Sequence, residues 1–198
     1  TKLVDTLDHA NGWQRDTAQR LLVAKMDKAA TQPLIDLLKN SKLPQARLQA
    51  LCILNGLNAV DSEAIDLGLR DKNPSVRQHA ARLCRGKNTL LSTKVIDDPE
   101  PIVRRQVAFS LGDTTDTKAA EALVQLAHDK NADVRLAVKS STTPHLASML
   151  RKIFSSDKQP PQDITAHLLK LATSGNNQEV LTQVLTEMSN PKYRLVKI

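Results

Sequence analysis

Asn73-Pro74-Ser75-Val76-Arg77-Gln78-His79-Ala80 decides how this chain is read. Asn at a helix boundary caps free backbone N–H groups. Pro fits the first turn, where its missing N–H has no partner to lose. Val76 and Ala80, four apart, lie on one side of a helix. The stretch therefore predicts a helix start with an apolar side. Outward from it the pattern returns as Glu100-Pro101-Ile102-Val103-Arg104-Arg105-Gln106-Val107 and as Asn131-Ala132-Asp133-Val134-Arg135-Leu136-Ala137-Val138. It returns towards the N-terminus as Leu43-Pro44-Gln45-Ala46-Arg47-Leu48-Gln49-Ala50 and Asn11-Gly12-Trp13-Gln14-Arg15-Asp16-Thr17-Ala18. The Arg falls at 15, 47, 77, 104 and 135, in steps of 32, 30, 27 and 31 residues. A further step lands near Thr165 in the weaker stretch Gln162-Asp163-Ile164-Thr165-Ala166. Another reaches Asn190-Pro191-Lys192-Tyr193-Arg194-Leu195-Val196, where the Arg reappears as Arg194.

A second amphipathic segment precedes each motif, for example Pro33-Leu34-Ile35-Asp36-Leu37-Leu38, Ala64-Ile65-Asp66-Leu67-Gly68-Leu69 and Ala119 through Leu126. Apolar residues recur in them at three and four, the helical period. Each unit reads as helix, short turn, helix, with Asn58, Gly86, Gly112 and Gly175 where second helices or their connections end. A unit of ~30 residues cannot bury its own apolar face, so the units must stack. Composition agrees. Aromatic residues are 2% of the chain (Trp13, Tyr193, Phe109 and Phe154), so Leu, Ala and Val fill the interior, which suits close helix packing. Trp13 reads as an inter-helix packing residue. The fold class is all-α, a helical-repeat solenoid of about six to seven helix pairs.

The Asn/Asp-Pro-x-Val-Arg-x-x-Ala start of the second helix resembles HEAT repeats over nearly the whole chain, least at 140–175. The resemblance implies that the motif Arg bonds carbonyls or acidic groups of a neighbouring repeat. Arg15, Arg47, Arg77, Arg104, Arg135 and Arg194 are thereby expected to form a structural ladder. A narrower resemblance rests on Asn11-Gly12-Trp13-Gln14-Arg15-Asp16-Thr17-Ala18-Gln19-Arg20-Leu21-Leu22, on Ala46 through Leu57, and on Leu69 through Arg77. It is to the HEAT region of large multidomain proteins of planctomycetes and related bacteria described as membrane-bound dehydrogenases. In that family a sorbosone-dehydrogenase-like propeller precedes the HEAT region and a c-type haem domain follows it. The resemblance implies a helical spacer between catalytic parts, in a periplasmic or secreted setting. The residues for covalent haem attachment through Cys-x-x-Cys-His are not in this sequence.

No other motif points to chemistry or to a cofactor. The histidines 9, 79, 128, 145 and 167 make no His-Glu-x-x-His, and no Cys/His spacing matches a zinc site. Cys52 and Cys84 lie in apolar helical stretches as small hydrophobes, although a disulfide between adjacent repeats is conceivable from their spacing. Six glycines form no phosphate loop. Asp97, Asp98 and Glu100 read as a solvated turn with helix-capping acids. No apolar run reaches the ~18 residues needed to cross a bilayer, so membrane insertion is not expected.

Charge is the most distinctive feature. The chain carries a net +7, and nine basic residues against four acids lie between Arg70 and Arg105. Second helices line the concave face of such solenoids, which places Arg82, Arg85 and Arg105, with Arg20, on a candidate binding surface. Three functions follow: a scaffold that binds a protein partner or neighbouring domains of its own chain, the dehydrogenase spacer, and a nucleic-acid-binding repeat protein. The last lacks aromatic stacking platforms, Trp13 being the one candidate. Residues 1–198 read as one solenoid broken by a Pro-rich polar loop at 155–162. They also read as an internal piece of a longer protein, because the motif at 190–198 opens a second helix that is then cut short. The motif at 190–198 stops after about two turns with Leu195, Val196 and Ile198 at an open end, from which end-to-end self-association is expected.

Overall fold

The computed structural model describes residues 2–85, 94–114, 116–156 and 161–174, together with 182 and 186. Among the described residues there are eleven α-helices and no strand. The chain divides into two compact units, Thr1–Cys84 and Arg85–Ile198.

The first unit holds α1 (Lys2–Thr6), α2 (Gly12–Lys25), α3 (Thr31–Asn40), α4 (Pro44–Gly56), α5 (Ser62–Leu69) and α6 (Pro74–Leu83). They pack in pairs, α1 on α2, α3 on α4 and α5 on α6; α4 lies against both α2 and α6, and α3 against both α1 and α5. The second unit holds α7 (Pro101–Leu111), α8 (Thr117–Leu126), α9 (Ala132–Ser140), α10 (Leu146–Ser155) and α11 (Gln162–Ser174). Here α9 lies against α7 and α11, while α8 packs on α10. Six of the motif slots are therefore second helices, α2, α4, α6, α7, α9 and α11. The seventh, with Arg194, lies outside the described residues, as do Gly86 and Gly175. So do residues 190–198, on which the expected self-association rests.

The motif builds these helices as its chemistry requires. Side-chain oxygens of Asn11, Asn73 and Asn131 accept from backbone N–H groups of Trp13, Ser75 and Asp133. Pro44, Pro74 and Pro101 open α4, α6 and α7. The apolar pair of each motif is buried: Ala46 with Ala50, Val76 with Ala80, Val103 with Val107 and Val134 with Val138. The weak slot obeys the same rule, Ile164 and Leu168 being buried on α11. α10 runs through Ser155 and α11 starts at Gln162, so both ends of the expected 155–162 loop are helical. Residues 157–160 lie outside the described residues.

Two backbone features set the close packing of the first unit. A Cβ on Gly68 would stand 2.7 Å from the Ala80 Cβ and 3.0 Å from Leu51 Cδ1, so only glycine lets α5 approach α6 this closely. Asn58 has a φ of 52° and turns the chain after α4, a left-handed position that Asn tolerates. Met26 ends α2 with a φ of 50°, a helix stop that its side chain does not announce.

One expectation about the core fails. Trp13 is 73% exposed rather than packed between helices. It occupies the position of Ser75 in the motif, which faces outward, while Gln14 takes the inward position of Val76.

Candidate interaction surface

The motif arginines first fasten their own turns. Arg15 Nη1 donates to the carbonyls of His9 and Ala10, both at 2.8 Å. Arg77 Nη1 donates to Asp71 and Lys72 at 2.8 and 3.1 Å. Arg104 Nη1 donates to Asp98 and Pro99 at 2.6 and 3.0 Å, and Arg135 Nη1 to Asp129 and Lys130 at 3.0 and 3.2 Å. Arg47 Nη1 donates to the Ser41 carbonyl at 2.9 Å. These acceptors lie five and six residues before each Arg, in the turn of its own repeat. The expectation from the resemblance placed the carbonyls in a neighbouring repeat, and the geometry puts them at home.

The carboxylate comes from the next repeat. Arg47 grips Asp71 with two parallel bonds, Nε to Oδ2 at 2.5 Å and Nη2 to Oδ1 at 2.7 Å, with the side chains 3% and 6% exposed. Arg104 holds Asp129 the same way at 2.6 and 3.1 Å. Such fork-on-fork pairs are the strong, orientation-specific form of the ion pair. Arg135 reaches Asp163 less well, at 3.7 Å, and Lys139 Nζ contacts that acid at 2.8 Å. The hydrogen bonds Arg47 donates to Asp71, with the charge of that carboxylate, raise the Arg47 pKa against the opposing effect of burial. Burial pushes the Asp129 carboxyl up. The hydrogen bonds from Arg104 and the Asn131 N–H, with the charges of Arg104 and Arg135, outweigh it and leave the pKa below the ordinary carboxylate value.

The same acids also shape the turn. Asp71, Asp98 and Asp129 each accept from the backbone N–H two residues on, at Asn73, Glu100 and Asn131. Asp71 is thus clamped twice, by Arg47 on its side chain and by Arg77 on its carbonyl, and Asp129 likewise by Arg104 and Arg135. Sequence reading did not single out Asp71 and Asp129, and took Asp98 for an acid of a solvated turn. Their signal is an Asp three residues before the helix-opening residue, at Asp71, Asp98 and Asp129. In the second repeat the slot holds Ser41, whose hydroxyl accepts from Leu43 N–H and donates to Asp8 Oδ1 at 2.5 Å. Arg15 Nε is correspondingly buried without a hydrogen-bond partner.

Residues 88–142 match the HEAT repeats family. The match takes in α7, α8 and α9, the helices of the second unit that carry the Arg104–Asp129 clamp. A comparison with curated proteins found no match. Nothing in these findings links the chain to a dehydrogenase.

With the clamps accounting for Arg15, Arg47, Arg77, Arg104 and Arg135, the remaining candidate cations can be placed. Arg20 and Arg82 are exposed on α2 and α6, and Arg105 is half-buried on α7. Arg85 lies beyond α6, which ends at Leu83, and forms an ion pair with Asp113. It is neither on a second helix nor free, because its acid lies outside the 70–105 window. Asp98 is buried, contrary to the solvated turn expected for it, while Asp97 accepts from Gln125 at 2.6 Å.

Outward-facing positions of the second helices carry side chains outside the clamps and the core. In the first unit they include Trp13, Arg20 and Arg82; in the second, Ile102 and Phe109 on α7 and Leu136 on α9, the last 61% exposed. Between α4 and α6 stands a polar triplet. His79 Nε2 is 3.2 Å from Cys52 Sγ, and Arg82 Nη2 is 3.3 Å from His79 Nδ1. Arg can only donate, so Nδ1 accepts and Nε2 carries the proton towards sulfur. Burial, then the charge of Arg82, lowers the His79 pKa to about 4, and burial raises that of Cys52. The two cysteines are free; Cys84 is buried and donates to the Ala80 carbonyl.

Two grooves lie where consecutive turns meet. One, of about 700 Å³, sits over the Arg47–Asp71 pair between the α3–α4 and α5–α6 turns. The other, of about 430 Å³, sits over Arg104 and Asp129. Among the described residues no group of three metal-binding side chains gathers, and no helix is long and apolar enough to cross a membrane.

Proposed function

We propose that this chain is a non-catalytic scaffold that binds a protein partner through the outward positions of its second helices. HEAT repeats generally serve as scaffold or interaction modules. What supports the reading here is the exposed apolar group on α7 and α9. Ile102, Phe109 and Leu136 face solvent beside Arg105, although the same helices bury Val103, Val107, Val134 and Val138 completely. Aromatic and aliphatic anchors beside an Arg have the composition of an interface centre. The candidate contact residues are Ile102, Arg105, Phe109 and Leu136 in the second unit, with Trp13, Arg20 and Arg82 in the first.

The test is retention of native binding proteins by immobilised chain, wild type against Phe109→Glu/Leu136→Glu. Both positions are exposed, so the urea midpoint should move by less than about 0.5 kcal/mol. The expected result is loss of the proteins that the wild type retains. Retention unchanged by the double substitution would refute this surface.

A further inference from the structure

We infer that the groove between the α3–α4 and α5–α6 turns of the first unit receives an acidic peptide segment of a partner protein. The inference deepens the scaffold reading and rests on it. The groove holds about 700 Å³, within the ~300–1,000 Å³ typical of ligand sites. Its lining includes the Arg47–Asp71 pair, whose charges offset each other. Its rim carries Lys39, Lys42, Arg70 and Lys72, all exposed. Among the described residues none of these four side chains makes a hydrogen bond or an ion pair. Four like charges around one groove, inside or near a Debye length of ~8–10 Å, repel one another and favour an anionic guest.

The guest's chemistry follows from what else lines the site. Glu63 and Asp66, three apart on α5, face the same groove. A polymer with a charge at every step, such as a nucleic-acid strand, must set phosphates against them. A peptide places carboxylates at the lysines and a neutral or basic side chain at the two acids. No aromatic residue lines the groove, so it offers no platform on which bases could stack. The groove over Arg104 and Asp129 makes the contrast. Its rim includes Asp97 and Asp98 with His128 and Lys130, and it has no comparable cationic excess.

The experiment is fluorescence anisotropy of a fluorescein-labelled Glu/Ser peptide titrated with the full chain, beside a labelled oligothymidylate. Saturable peptide binding is expected, weakening as salt rises from ~50 to ~200 mM. Lys42→Glu/Arg70→Glu should weaken it by about tenfold or more, since like charges then face the guest. Lys118→Glu/Lys170→Glu carries the same change in net charge on exposed residues of the second unit that do not line the groove, and should alter affinity by less than about twofold. No saturable binding at the lowest salt, equal weakening by both pairs, or tighter binding of the oligothymidylate would each overturn the inference. Because Phe109 and Leu136 lie on helices that do not line this groove, either result can fail without the other.

Discussion

Arg47 and Arg15 occupy the same place in successive repeats of the first unit, and only Arg47 finds an acid. Arg47 closes on Asp71 with two short bonds and is almost wholly buried. Arg15 makes the same bonds to its own turn, but Ser41 stands where the carboxylate should be, and its Nε has no partner. The carbonyl half of the clamp is therefore intrinsic to each repeat, and the carboxylate half belongs to the boundary between repeats. A repeat can lose the second and keep its fold. Boundaries of graded strength follow, the Arg47–Asp71 one strongest, the Arg15–Ser41 one weakest, with the long Arg135–Asp163 contact between them.

The largest effect should come from breaking the strong boundary. Asp71→Ala leaves Arg47 buried without its counter-charge and also removes the acceptor for Asn73 N–H. A loss of about 3–5 kcal/mol is expected from the urea midpoint. A loss below about 1 kcal/mol would mean that water reaches Arg47 and the boundary is weaker than its geometry.

Acid should separate the two units. His79 titrates near 6.5 when unfolded and near 4 when folded, so the unfolded state binds the extra proton between those values. The first unit then loses stability as pH falls from about 6.5 to 4 and loses no more from this group below that. Solvent reaches part of the ring, so the loss is roughly 1–2 kcal/mol, and His79→Gln should abolish it. The corresponding residue of α7 is Gln106, which does not titrate. In the second unit Asp129 and Asp163 have lowered pKa values, so their contribution is lost only below the ordinary value of 3.8. Hydrogen exchange at pH 5 against pH 7 should show protection falling in α4 and α6 with little change in α9. Equal change in both would contradict the assignment.

The smallest effect should come from repairing the weak boundary. Ser41→Asp supplies the missing acid, and Asp8→Asn removes the like charge that would face it. The pair is expected to gain about 0.5–1 kcal/mol.

Much of this architecture was legible in the chain. The Val-Arg spacing located six second helices, and the Val76/Ala80 type of pair identified their buried side, because burial and helical period act within one segment. The Pro33–Leu38, Ala64–Leu69 and Ala119–Leu126 segments became α3, α5 and α8 for the same reason. What the chain hid depends on partners far away in sequence. Asp71 was not singled out, because its grip by Arg47 is a contact across 24 positions. Cys52 and His79 meet across 27. Trp13 misled because its bulk suggested a core that its outward slot denies. The basic excess at 70–105 was real as a count, yet Arg77 and Arg104 hold turns together and Arg85 is paired to Asp113. The rim that remains free of such duties is half inside that window, at Arg70 and Lys72, and half ahead of it, at Lys39 and Lys42.

The carboxylate, not the arginine, sets the strength of each boundary. This is tested most directly by two double-mutant cycles in urea, Arg47→Ala with Asp71→Ala and Arg15→Ala with Ser41→Ala. A coupling of about 2–3 kcal/mol is expected for the first pair and less than about 0.5 kcal/mol for the second. Equal couplings at the two boundaries would contradict the account.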